Sequence, residues 1–172
     1  MSAKLSEMDL SKFSIFSQIG IQGLLYIRTE VTSRLPYEKE DGQCFVPEPS
    51  RSYAFVWAWV LGAYEIVRTM DQHRYRFCSQ YHDDISDMKK ALAQVRIPLA
   101  KQELAGENSL RNKSSTKFRA EALLTGADPQ RGFCFSIKGV DYWSEELMDR
   151  FEMLMAKISK DGILEPSEQP RR

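Results

Sequence analysis

Residues 53–70, YAFVWAWVLGAYEIVRTM, decide the fold, because they carry no charged side chain before Glu65. Apolar residues occupy nearly every face of this segment between Ala54 and Ala63, which is typical of a helix surrounded by protein. The longest apolar run, from Ala54 to Leu61, is far shorter than the roughly 20 residues that a membrane-spanning helix needs. The segment therefore predicts a central buried helix and no membrane span.

Three amphipathic segments predict the helices around it. In the first, from about Lys12 to Leu35, Gly20 and Gly23 predict the close approach of a neighbouring helix, since glycine is otherwise unfavourable inside a helix. A cap is expected at Ser144, where the last helix begins. The predicted core positions of the three segments are Phe13, Phe16, Gly20, Leu24, Ile27 and Val31; Ile85, Met88, Leu92, Val95 and Leu99; and Leu147, Phe151, Leu154 and Ile158.

The alternation of apolar and polar residues in GFCFSIKGV, residues 132–140, predicts a short strand. A hairpin partner is expected near Glu121 to Thr125, because a lone strand is unstable. The fold class is therefore predicted as mainly α, an antiparallel bundle of about four helices with a short strand or hairpin before the C-terminal helix.

The length of 172 residues fits one domain, 1–172. Residues 36–52 and 106–119 are rich in polar, glycine or proline positions and predict long loops, and residues 162–172 predict a flexible tail. The 24 basic and 24 acidic side chains balance. A nucleic acid would therefore have to be bound by a local basic patch and not by the field of the whole molecule.

The cysteines Cys44, Cys78 and Cys134 are odd in number and far apart, which predicts neither a disulfide framework nor a thiolate zinc site. Cys78 and His82 would share a face if the chain between them were helical, but a small buried cysteine beside a polar turn is the preferred interpretation. The N-terminus lacks the apolar stretch of a secretory signal. These observations predict a cytoplasmic protein with no metal and no cofactor.

Residues 68–75, RTMDQHRY, place His73 five positions after Arg68 and Tyr75 two positions later. This spacing resembles the R-x4-H-x-Y motif of the HEPN family of helical toxins and ribonucleases, in which the arginine and histidine stand near a helix end and often at a dimer interface. The resemblance implies metal-independent RNA cleavage. His73 would move the 2′-hydroxyl proton, Arg68 would hold the phosphate, and Tyr75 would orient either group.

The same residues also have a purely structural interpretation. Arg68 can pair with Glu65 one turn away, and a histidine near the C-terminus of a helix is favourable to the helix dipole. The basic run Arg111, Lys113, Lys117 and Arg119 also has two interpretations. It could bind phosphate, with Phe118 stacking on a base, or it could be a solvated loop.

The sequence contains clear signals for helices and core residues but only weak signals for catalytic residues. The leading prediction is therefore a small intracellular helical protein-interaction module without evident catalytic machinery. Its partner would be another protein or a second copy. Trp57 and Trp59 cannot both face one core, so one of them is expected at a dimer interface. The alternative is a HEPN-like ribonuclease or toxin that uses Arg68 and His73, with RNA as its partner.

Overall fold

The structure, a computed structural model, describes residues 8–101 and 124–164. These residues are mainly α-helical, as predicted, with small antiparallel sheets. In chain order the elements are α1 (Ile15–Thr32), β1 (Tyr37–Glu38), β2 (Cys44–Phe45), α2 (Pro49–Gln72), α3 (His82–Lys101), β3 (Leu124–Asp128), β4 (Gly132–Ile137), β5 (Val140–Trp143) and α4 (Ser144–Asp161).

Helix α2 contacts each of the other three helices. The edge of the Trp59 ring meets Phe151 of α4 with the ring centroids 5.4 Å apart. On another side of α2, the Arg96 guanidinium of α3 lies 4.5 Å from the centroid of the Tyr64 ring. A Cβ added at Gly62 would lie 2.9 Å from the Leu24 side chain of α1. The apolar segment is therefore the central helix of the described fold.

The burial of α2 is not complete, because Trp57 is 40% exposed whereas Trp59 is 2% exposed. Ala54 is exposed as well. In a helix, residues two positions apart point about 160° away from each other, so the side of Trp57 faces away from α4. The prediction that protein surrounds α2 is therefore wrong at Ala54 and Trp57, which are exposed in the described fold.

Helix α1 buries Leu24 and Val31 as expected but departs from the sequence-based expectation at Phe16. Phe16, expected in the core, is 83% exposed, and the most buried large side chains of α1 are Ile21, Leu24 and Val31. The polar side chain of Gln18 is also buried, because its Oε1 accepts a hydrogen bond of 2.7 Å from the backbone N–H of Leu10. This bond holds Gln18 on the buried side of α1. Phe16, two positions earlier in the helix, therefore points outward.

The two glycines of α1 have different surroundings. A Cβ on Gly20 would lie 3.1 Å from Ile66 of α2, so the predicted close approach is confirmed there. The same atom on Gly23 would meet nothing within 4 Å, so the prediction is wrong at that position. Gly20 meets Ile66 while Leu24 meets Gly62. Helices α1 and α2 therefore run in opposite directions.

The predicted loops and tail are partly structured. Residues 36–52 contain the β1–β2 hairpin and the first turn of α2, so they are not one long connection. Residues 106–119 lie outside the described residues. Gly162 and Leu164 form backbone hydrogen bonds with the chain after α2, so the predicted tail is fixed at its beginning, and its continuation also lies outside the described residues.

Strand β4 lies between β3 and β5 in an antiparallel sheet just before α4. The hydroxyl of Ser144 does not cap α4. It accepts the N–H of Phe133 in β4 at 3.0 Å instead. Gly132 precedes Phe133 with a φ of 79°, and a Cβ there would lie 2.3 Å from the Ser144 oxygen. The sheet and α4 are therefore joined where only glycine fits.

Replacing Gly132 by alanine should lower the free energy of unfolding by about 2–5 kcal/mol. The positive φ accounts for about 1–2 kcal/mol, and displacement of the buried Ser144 hydroxyl accounts for the rest. Gly139→Ala is the matched control, because Gly139 also has a φ of 79° but no neighbour within 4 Å. Urea unfolding of both variants measures the difference. Equal losses would show that Ser144 does not restrict position 132.

Candidate functional site

Arg68 is engaged within its own helix. Its Nε and Nη2 lie 2.8 and 2.7 Å from the Oε2 of Glu65, so the structural pairing predicted from the sequence is confirmed. Both side chains are roughly half exposed. The guanidinium that would hold a phosphate is therefore already neutralised by a carboxylate, although water can reach it.

His73 ends α2, and its backbone N–H donates to the carbonyls of Thr69 and Met70, both at 3.1 Å. The imidazole is exposed and its ring lies 6.0 Å from that of Tyr75 and 6.4 Å from that of Phe13, centroid to centroid. The structure thus brings His73 and Tyr75 side by side. No contact among the described residues joins Arg68 to His73.

His82, the second histidine, stabilises the connection between α2 and α3. Its Nε2 lies 2.8 Å from the carbonyl oxygen of Arg74 and 3.0 Å from that of Phe77, so in the tautomer that carries hydrogen on Nε2 it donates to both. Cys78 lies nearby, but its Sγ contacts the Asp161 carbonyl at 3.4 Å. Within residues 8–101 and 124–164, no group of three or more metal-ligating side chains comes together.

Asp71 joins the end of α2 to α3. Its carboxylate accepts hydrogen bonds from Lys89 of α3 and from Arg74, and its side chain is 10% exposed. Burial alone would raise the pKa of Asp71, but the hydrogen bonds and positive charges of Lys89 and Arg74 outweigh it and hold the pKa below its ordinary value. No sequence pattern indicates this role of Asp71, because its partner Lys89 lies 18 positions away.

We expect Asp71 to stabilise the fold above its ordinary pKa of about 4 and to lose this contribution as the pH falls through its lowered pKa. Asp71→Asn should therefore reduce the free energy of unfolding at pH 7 by about 1–2 kcal/mol. The gap to the unsubstituted protein should narrow as the pH falls below about 4. Asp87→Asn is the control, because its exposed pair with Lys90 contributes little. A difference in unfolding free energy that does not change with pH would contradict the stabilising role of the Asp71 carboxylate charge.

Arg28 joins α1 to α4. Its guanidinium lies 3.2 Å from Glu145, 2.5 Å from Asp149 and 2.6 Å from Glu152. Burial raises the pKa of Glu145 against the opposing charge of Arg28. The cluster marks the side of α1 that faces α4, and it is occupied by its own ion pairs.

The opposite side of α1 carries a row of exposed apolar positions. We define the α1 face as Ile15, Phe16, Ile19, Gly23 and Tyr26, all of them exposed. At about 100° per residue these positions share an arc of about 100°, and each lies about 120–180° around the helix from Arg28. The face therefore points away from α4.

The prediction that the two tryptophans do not share one core is confirmed, because Trp59 is buried and Trp57 is at the surface, and a dimer interface at Trp57 stays a prediction. Sequence spacing gave this division without deciding which ring would be outside. The predicted nucleic-acid residues Arg111, Lys113, Lys117 and Arg119 lie outside the described residues. The described cavities, one of about 250 Å³ beside Met153 of α4 and one beside the β1–β2 hairpin, are lined by residues other than Arg68, His73 and Tyr75.

Comparison of the chain with family models, with characterised proteins and with solved structures found no match. Among the described residues no helix has the length and apolar character to cross a membrane.

Proposed function

We propose that this chain is a helical protein-interaction module without catalytic machinery, built as an antiparallel four-helix bundle with a β-hairpin before the last helix. The α1 face is its binding surface. The observation that carries the proposal is the row of large exposed apolar side chains on this face, interrupted only by Gly23, with Phe16 83% exposed.

The size of the row distinguishes it from the scattered apolar residues found on every protein surface. At about 200 Å² for a large side chain, the exposed fractions of Ile15, Phe16, Ile19 and Tyr26 amount to about 500 Å². The largest apolar patch of an ordinary monomer covers about 300–600 Å² and is often functional. The α1 face therefore has the size of a binding surface.

Charged side chains of α1 and α2 are already paired within the chain. Glu30 accepts a hydrogen bond of 2.8 Å from Arg34, and Glu65 pairs with Arg68 on the neighbouring helix. A partner therefore need not supply compensating charge. An apolar centre with paired charges near its border is the usual arrangement of a protein–protein interface.

A photo-reactive amino acid placed at Ile19, in the cells that produce the protein, should form a covalent adduct with the bound partner. The control is the same amino acid at Met153, which is 61% exposed on α4 compared with 57% for Ile19. Gel mobility and mass spectrometry measure the adducts. We expect adducts from position 19 and few from position 153. No adduct at position 19, or equal adducts at both, would contradict the proposal.

The alternative is a HEPN-like, metal-independent ribonuclease or toxin in which His73 transfers the proton and Arg68 binds the phosphate. One observation favours it, namely that the rings of His73 and Tyr75 lie side by side at the end of α2. The basic run 111–119 would then supply further phosphate contacts. The pairing of Arg68 with Glu65 opposes it, because the carboxylate competes with phosphate for the guanidinium.

RNA cleavage by the purified protein, by His73→Ala and by Gln72→Ala separates the two proposals. Gln72 is the exposed neighbour of His73 and serves as the matched control. For an interaction module we expect all three proteins to give the same background rate. A loss of about 100-fold or more confined to His73→Ala, the size expected for a general acid or base, would replace the module with the ribonuclease.

A further inference from the structure

We propose that the partner of the α1 face is a second copy of this chain, packed so that the two α1 helices run antiparallel across a two-fold axis level with residue 21. This inference rests on the proposed function and names the occupant of the same surface.

The α1 face is complementary to itself. In a two-fold interface, a residue that contacts a second position on the partner has its counterpart contacted in return. Ile19 and Gly23 form one such pair, and Phe16 and Tyr26 form another, and both pairs are centred on residue 21. A single antiparallel register therefore satisfies both pairs at once.

The first pair combines a projecting side chain with an opening. Ile19 is 57% exposed, and a Cβ added at Gly23 would meet nothing within 4 Å. The side chain of Ile19 can therefore pack over the bare backbone at Gly23 of the second copy, and the reciprocal contact forms across the axis. A glycine at this point lets two helices approach more closely than larger residues would allow.

The second pair closes each end of the contact. Phe16 and Tyr26 are 83% and 59% exposed, and aromatic rings at such positions pair favourably in offset or edge-to-face arrangements. Phe16 and Tyr26 are separated by about 15 Å along α1. The contact thus extends over almost three helical turns.

The area is sufficient for a reversible dimer. The two copies together would bury about 1,000 Å², which is at the lower limit for a specific interface. The whole chain carries 24 basic and 24 acidic side chains, so two copies do not repel each other at long range. We therefore expect a dissociation constant on the order of micromolar, as for transient complexes.

Sedimentation velocity of the full chain between about 1 and 500 µM, a range chosen to bracket that affinity, tests the dimer. The unsubstituted protein should change from monomer to dimer across the range. Ile19→Glu should remain monomeric throughout, because it places an unpaired charge in the interface. Met153→Glu, which changes a similarly exposed apolar residue, should dimerise as before. A dimer that survives Ile19→Glu would overturn the inference.

Gly23→Leu tests whether Ile19 of the second copy packs over the bare backbone at Gly23, and the substitution is compatible with the monomer fold. The added side chain has room in the monomer, and leucine is a better helix former than glycine. We expect a raised melting temperature together with loss of the dimer. A dimer of unchanged affinity in this variant would overturn the proposed packing.

Cysteine cross-linking tests the register. In a Cys44→Ser background, which removes the exposed native thiol, copies with Ile19→Cys are mixed with copies with Gly23→Cys. Oxidation should join the unlike copies, because a disulfide requires Cα atoms roughly 4.4–6.8 Å apart. Preferential joining of like copies through position 19 would overturn the antiparallel register.

The photo-adduct at position 19 distinguishes this inference from the proposed function. An adduct of two copies of the chain supports both. An adduct with a different protein, combined with a monomer at every concentration, would overturn the self-association and leave the interaction module in place.

Discussion

The close approach of α1 to α2 at Gly20 and Gly62 fixes the rotation of α1, and the surface of the molecule depends on that rotation. Ile66 lies against Gly20, and Leu24 lies against Gly62. With these contacts in place, Ile21 and Leu24 enter the core. The apolar side chains that remain on α1 are then left outside, because one helix cannot turn two opposite faces toward the same neighbours. The exposed row is thus a consequence of core packing on the other side of the helix.

Residues 71–82, from the last turn of α2 to the first residue of α3, form mainly structural contacts, although the sequence suggested chemistry there. Asp71 accepts from Lys89 and Arg74, the guanidinium of Arg76 donates to the carbonyl of Phe13 at 2.8 Å, and His82 bonds to two backbone carbonyls. Polar groups that satisfy buried partners are not free to bind a substrate. The imidazole of His73 is exposed to water beside the ring of Tyr75.

How far the sequence predicted the fold depends on the kind of information each element needed. The apolar run in α2 and the regular stripe of α4 predicted both helices. The burial of Leu147 and Phe151 follows from the stripe, whereas the run did not decide between Trp57 and Trp59. Helix α1 has apolar residues on two sides, so periodicity placed Phe16 in the core when Ile21 belongs there. Gly23 could not be told from Gly20 without the neighbouring helix. The role of Asp71 also depends on a residue distant in the chain, and the α1 face depends on how α1 packs against α2. Neither could be predicted without the neighbouring helices.

The contacts of Arg76 also determine how the protein would respond to mechanical tension. Its guanidinium bonds to the carbonyl of Phe13, while its own carbonyl accepts the N–H of Leu164 at 2.9 Å. Segments near the two ends of the described chain therefore meet at one residue. A pulling force applied to these two segments loads the hydrogen bonds of Arg76 together with the neighbouring bond between Cys78 and Gly162, so the segments separate only when several bonds break together.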